Sequence, residues 1–138
     1  MNWDFLMEQA IEAKEYAYAP YSGFRVGAAV LTTDGRIFTG CNVENASYGA
    51  AICAERTAIV KAVSGGDKKI NAIAITSDSN DPIFPCGICR QVIAEFANEE
   101  TIIICGNKNG EYKEYKLEDI LPNAFTKNEP VFKERGII

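Results

Sequence analysis

Three cysteines and one carboxylate are spaced as a reactive metal site would need them. Cys53-Ala54-Glu55 is followed further along the chain by Pro85-Cys86-Gly87-Ile88-Cys89. Thiolates are soft donors suited to zinc, and three protein ligands leave the fourth tetrahedral corner open to water, which marks a catalytic rather than a structural ion. The expectation is one zinc per chain, held by Cys53, Cys86 and Cys89. Glu55, two residues from a ligand, is placed to take a proton from that water and pass it to a substrate. Considered alone, it would be a helix N-terminal carboxylate interacting with the dipole.

The chain contains no histidine. Ser-His-Asp hydrolysis, Cys-His nucleophilic catalysis and histidine acid–base work are therefore excluded. Chemistry near neutral pH falls to carboxylates, thiolates, Lys, Tyr or a metal, and zinc lowers the pKa of bound water to about 7 without a histidine base. A Cys-x-x-Cys pair by itself also suits a redox centre or a structural clip. A clip would need Cys41 or Cys105 as fourth ligand, and both lie in apolar strand runs, where free cysteine behaves as a small core hydrophobe. A redox role for Cys86 and Cys89 would leave Cys53-Ala54-Glu55 without a purpose. Zinc with three thiolates carries a net negative charge, poor for a Lewis acid. Arg56 and the helix N-termini are the available compensation, although Arg56 in isolation is a solvated helix charge.

The elements that must position these groups follow from the pattern of the chain. Residues 3–18 form an amphipathic helix in which Leu6, Ala10, Ala13 and Ala17 share one face, ended by Pro20. Phe24–Thr33 and Arg36–Val43 make a hairpin across Asp34-Gly35. After a polar loop, a helix runs from about Cys53 to Ser64 and is closed by Gly65-Gly66. Ile70–Thr76 is a buried strand, a second helix spans about Gly87 to Ala97, and Thr101–Cys105 is another buried strand. Asn109-Gly110 turns into Glu111–Lys116, an alternating polar strand suited to an edge. Both cysteine motifs thus sit at helix starts, where the positive end of the dipole favours thiolate. The order is that of an α/β layered domain with a mixed five-stranded sheet.

At 138 residues the chain, 1–138, is expected to be a single domain. It is 47% hydrophobic and 24% charged, with a formal charge of −5 and its basic residues scattered. No basic stripe is present to neutralise phosphates, so a small molecule is expected and a nucleic acid is not. No stretch is apolar enough for a membrane span. Asp4, Glu8 and Glu12 stand where a signal peptide would be basic and then apolar, and five cysteines, three in the motif, do not make a disulfide framework. The expected location is the cytoplasm.

The spacing also matches the signature of zinc nucleobase deaminases, His-x-Glu followed by Pro-Cys-x-x-Cys, with Cys53 in the first slot. Beyond that signature, Pro20-Tyr21-Ser22-Gly23-Phe24, Asn42-Val43-Glu44-Asn45-Ala46-Ser47-Tyr48, Cys53-Ala54-Glu55-Arg56-Thr57-Ala58, Pro85-Cys86-Gly87-Ile88-Cys89-Arg90-Gln91-Val92 and Leu121-Pro122-Asn123-Ala124-Phe125 recur in order over nearly the whole chain. In these motifs the chain resembles the small cytidine deaminases of the free-nucleoside, homotetrameric type.

The resemblance implies a three-layer α/β/α sandwich and hydrolytic deamination of cytidine or 2′-deoxycytidine in pyrimidine salvage. It implies that Asn42 and Glu44 bind the ribose 3′-hydroxyl and that Phe24 lines the pyrimidine pocket. It further implies that the Ala54 backbone and Glu55 meet the base edge, and that Tyr48 and Phe125 reach a neighbouring subunit's site in a homotetramer. Without the resemblance Asn42 would be a strand-end amide, Glu44 a solvated carboxylate, Phe24 core and Phe125 a tail contact. Phe84 departs from the serine usual before Pro-Cys-Gly, and Ile88 is bulkier than the common alanine. Rival functions are a superfamily deaminase acting on a cytosine-containing antibiotic and a non-catalytic structural-zinc binding module.

Overall fold

A computed structural model describes residues 2–136. Along the chain, α1 (Asp4–Lys14) is followed by β1 (Val26–Thr32), β2 (Ile37–Cys41), a single 3-10 turn at Tyr48–Ala50 and α2 (Ala54–Ser64). Next come β3 (Ile70–Ser77), α3 (Gly87–Phe96), β4 (Ala97–Gly106), β5 (Tyr112–Lys116) and two short helices, α4 (Leu117–Ile120) and α5 (Pro130–Glu134). The five strands form one sheet in the order β2-β1-β3-β4-β5. Only β3 and β4, joined through α3, run parallel, and the other neighbours are antiparallel.

Strand periodicity divides the core into two halves, because successive side chains point to opposite faces. Ala28 and Val30 of β1, Ile73 and Ile75 of β3, and Ile103 and Cys105 of β4 face Ala58 and Ile59 of α2 and Ile93 of α3. The alternate residues, Ala29, Ala72, Ala74 and Ile104, face Leu6, Met7 and Ala10 of α1. With α1 on one side of the sheet and α2 and α3 on the other, the result is the α/β/α sandwich with a mixed five-stranded sheet. On the α2 side contact is close: a Cβ added at Gly40 would lie 2.5 Å from the Ala58 backbone nitrogen and 2.7 Å from the Ala54 carbonyl oxygen. That approach seats the first turn of α2, and Cys53 with it, against β2.

Several boundaries differ from the sequence expectation. The helix expected over 3–18 ends at Lys14. Tyr18 instead donates its N–H to the Asn42 carbonyl and accepts from the Glu44 N–H, so this stretch pairs with the chain leaving β2. Long-range backbone pairing has overridden a helical pattern. The hairpin strands begin later and end earlier than expected, and β4 starts at Ala97, four residues before Thr101, directly where α3 stops. There Thr101 donates its hydroxyl to the Ile70 carbonyl at 2.7 Å, securing the irregular start of the β3–β4 pairing. After β5 the chain forms two short helices, α4 and α5.

Candidate active site

Cys53 is the N-cap of α2, Cys86 is the N-cap of α3, and Cys89 lies within the first turn of α3. The two helix starts meet, so that all three sulfurs lie within 4.8 Å of one another, with 3.8 Å between Cys53 Sγ and Cys86 Sγ. Sulfurs about 2.3 Å from a tetrahedral zinc stand about 3.8 Å apart, so the donor set and its spacing fit that ion. Among the described residues this is the one cluster able to hold a metal, and neither Cys41 nor Cys105 belongs to it. Cys105 is buried in the core, and burial pushes its thiol up to about 12, the behaviour of an inert core group.

The first turns are braced from several directions. Thr57 Oγ1 donates to the Cys53 carbonyl at 3.2 Å. Arg90, one residue beyond Cys89, donates from Nε to the Pro85 carbonyl and from Nη1 to the Ile120 carbonyl, each at 2.7 Å. It thereby ties the Pro85-Cys86 turn to α4. Arg56 Nη2 lies 3.8 Å from Cys53 Sγ. A hydrogen bond with Cys89, reinforced by the Arg56 guanidinium, holds the Cys53 thiol down at about 5. Cys89, which keeps the proton shared with Cys53 and is buried, is pushed in the opposite direction.

Glu55 lies in the first turn of α2 and is only 4% exposed. Burial pushes its carboxyl up to about 7. A carboxyl with a pKa near neutrality is suited both to accepting and to returning a proton.

These groups open onto a cavity of about 600 Å³. Cys53, Ala54, Glu55, Arg56 and Cys86 line it together with Phe24, Asn42, Glu44 and Tyr48. Asn42 Oδ1 accepts from the Val26 N–H and its Nδ2 donates to the Phe24 carbonyl, both at 2.9 Å. Glu44 accepts from the backbone N–H groups of Tyr21 and Ser22 and from the Ser22 hydroxyl, which holds its carboxyl below the usual range. Tyr48 is 80% exposed and meets the Tyr21 ring edge-on. Phe84 and Ile88 also line the cavity, and the Phe84 ring packs edge-on against Tyr115 with centroids 5.2 Å apart.

Ten of the eleven residues singled out from the sequence are therefore brought together: Cys53, Cys86, Glu55, Arg56, Ala54, Phe24, Asn42, Glu44 and Tyr48 border the cavity, and Cys89 completes the sulfur cluster beside it. Phe125 is the exception. It lies outside this cavity, 58% exposed, with its ring against Phe132 and its carbonyl accepting from Gln91 Nε2 at 2.8 Å. Sequence reasoning missed Val26, Ile52 and Ile83 on the cavity wall, and the bracing by Ser22, Thr57 and Arg90. Arg90 and Thr57 adjoin the cysteine motifs, which is the signal that points to them. A larger cavity of about 800 Å³ lies beyond the end of α3, bordered by Glu95, Glu99, Glu118, Leu121 and Lys127, and contains none of the thiols.

The family model for the cytidine and deoxycytidylate deaminase zinc-binding region matches residues 1–105. The chain is 48% identical to a cytidine deaminase of Halalkalibacterium halodurans over 91% of its own length and 96% of that protein. It is 46% identical to a cytidine deaminase of Sporosarcina psychrophila over 94% of its length and 95% of the relative. A crystal structure of cytidine deaminase from Burkholderia pseudomallei superposes with a TM-score of 0.85 at 46% identity, covering 91% of this chain and all of that one.

Proposed function

The chain belongs to the cytidine and deoxycytidylate deaminase family, enzymes whose reaction is hydrolytic deamination, and from this premise we propose that its substrates are the free nucleosides cytidine and 2′-deoxycytidine. The products are uridine or 2′-deoxyuridine and ammonia. One observation carries this reading: the buried Glu55 carboxyl and two of the three clustered cysteines, Cys53 and Cys86, line a single cavity with Asn42 and Glu44, polar groups suited to a sugar.

Cys53, Cys86 and Cys89 would hold one zinc ion. When bound, the ion supplies Lewis-acid activation of water. Glu55 takes one proton from the attacking water and delivers it to ring nitrogen 3 as the water oxygen bonds to carbon 4. It then carries the second proton to the departing amine, which leaves as ammonia while the carbon 4 carbonyl forms. Arg56 offsets the negative charge of the thiolates, consistent with its approach to Cys53 Sγ. Phe24 flanks the pyrimidine, the Ala54 backbone meets the base edge, and Asn42 and Glu44 bind the 3′-hydroxyl.

Residues 1–138 act as one domain, in a homotetramer whose sites are completed by Tyr48 and Phe125 of neighbouring subunits. The exposure of both rings supports this arrangement. The cytoplasm and pyrimidine salvage are the setting that such a reaction fits. No helix among the described residues is long and apolar enough to cross a membrane. The acidic balance of the chain argues against a nucleic-acid substrate.

Ammonia release by the zinc-loaded protein tests the reading with cytidine, 2′-deoxycytidine, cytosine, deoxycytidylate and a cytosine-containing antibiotic. Turnover of the two nucleosides well above that of the other compounds is expected. Preference for the antibiotic would overturn the substrate assignment, and zinc binding with no turnover of any compound would make the protein a non-catalytic zinc module.

A further inference from the structure

Phe24 and Glu44 come from different segments, yet one hydroxyl joins them. Gly23 has φ +70°, in the left-handed region that glycine enters without steric cost, and its N–H donates to the Ala19 carbonyl at 2.9 Å. The tight turn this creates directs the Ser22 hydroxyl back over both flanks. That hydroxyl accepts from the Phe24 N–H at 3.0 Å and donates to Glu44 Oε2. The N–H groups of Tyr21 and Ser22 donate to Glu44 Oε1 at 2.9 and 3.1 Å.

An ionised carboxylate offers roughly four acceptor positions. The turn occupies three of them: both on Oε1 and one on Oε2. One acceptor position remains, on the oxygen that the Ser22 hydroxyl contacts, in a carboxylate at the wall of the cavity. A long glutamate side chain on an exposed surface ordinarily samples many rotamers, and ordering it at each binding event would weaken recognition. Here the ordering is already complete.

We propose that Ser22 is a positioning residue for sugar recognition: it aims the last free acceptor of Glu44 at the nucleoside 3′-hydroxyl and links it to the Phe24 backbone. This rests on the reading that Glu44 binds that hydroxyl.

The test compares 2′-deoxycytidine with 2′,3′-dideoxycytidine, which lacks the 3′-hydroxyl, in the zinc-loaded wild type and in the Glu44→Ala, Ser22→Ala and Ser22→Thr variants. With Ser22→Ala, KM for 2′-deoxycytidine is expected to rise about 3–10-fold, with kcat little changed. The rise is smaller than the roughly tenfold or more for outright loss of a charge-assisted bond to the substrate, because the Tyr21 and Ser22 N–H groups still hold Glu44. Kinetics with 2′,3′-dideoxycytidine should stay within about twofold of wild type, and Ser22→Thr should restore discrimination through its hydroxyl. Ser22→Cys, whose thiol is a weak donor, provides the same comparison if Ser22→Ala does not fold. If Ser22→Ala impairs both substrates alike, or neither, the positioning role is overturned while the reading of Glu44 stands. If Glu44→Ala leaves discrimination between the two substrates intact, the reading of Glu44 fails and the proposal falls with it.

Discussion

Glu55 combines two properties: a carboxyl that is only 4% exposed and a place on the wall of the cavity beside the cysteines. Its position in the first turn of α2, one residue after the wall residue Ala54 and two after Cys53, leaves its reach set by the helix rather than by a loop. Substitution Glu55→Gln keeps the size and hydrogen-bonding shape of the group but removes its capacity to carry a proton. The expected outcome is retained fold and zinc content with activity lowered about 10²–10⁴-fold, the usual contribution of a positioned acid–base group. Steady-state ammonia release and metal analysis on the same preparation check this, and near-normal turnover by a zinc-loaded variant would remove Glu55 from the proton path.

At the scale of elements, the site depends on helix starts being held against the sheet, and an ionic cluster anchors α1 to the strands opposite them. Asp78, just past β3, accepts from the Arg25 N–H at 3.1 Å and from its guanidinium at 3.0–3.1 Å. Lys14 at the end of α1, its side chain only 7% exposed, places Nζ 3.3 Å from Asp78 Oδ1 and 3.3 Å from the Ser77 carbonyl. Arg25 above all holds the Asp78 carboxyl down from 3.8 to about 2. A carboxyl depressed by folding contributes stability that is complete above its unfolded pKa, near pH 4, and is lost as pH falls through about 2. Asp78→Asn is therefore expected to destabilise the protein at neutral pH by roughly 1–3 kcal/mol, through loss of the charged partner of a buried ammonium. The gap to wild type should close between pH 4 and 2. Urea unfolding at pH 7, 4 and 2 measures it, and a gap unchanged at pH 2 would assign the effect to packing instead of charge.

For the whole molecule, the exposed aromatics are the feature a single chain leaves unexplained. Tyr48, on the cavity wall, is 80% exposed, and Phe125 lies outside the cavity on the segment after α4, 58% exposed. Closed symmetric oligomers place each exposed surface against every neighbour in the same way, which permits shared sites. Co-expression of Glu55→Ala chains with Phe125→Ala chains, each nearly inactive alone, tests whether Phe125 acts across an interface. If it does, random mixing with one donor per site restores about a quarter of the sites. If Phe125 serves its own chain, activity stays at the sum of the parents, and native mass spectrometry verifies that mixed oligomers have formed.

What the sequence determined by itself was the chemistry and the layering. The absence of histidine, the three motif cysteines and Glu55 restrict the reaction irrespective of any coordinates, because ligand type and acid–base capacity belong to side chains. Ile70–Thr76 and Thr101–Cys105 read as buried strands because their apolar runs are unbroken, and strand geometry sends alternate residues to opposite faces; which layer each set meets was decided by packing. Tertiary structure decided where elements stop and which polar groups meet. Residues 15–17 turn back onto residues 12–14 and Tyr18, in the same helical pattern, pairs instead with the chain beyond β2, while α3 passes without a loop into β4. It also brought Ser22 to Glu44 across 22 residues and Arg90 to Ile120 across 30. Such contacts follow from the packing of distant segments, whose register no local pattern encodes.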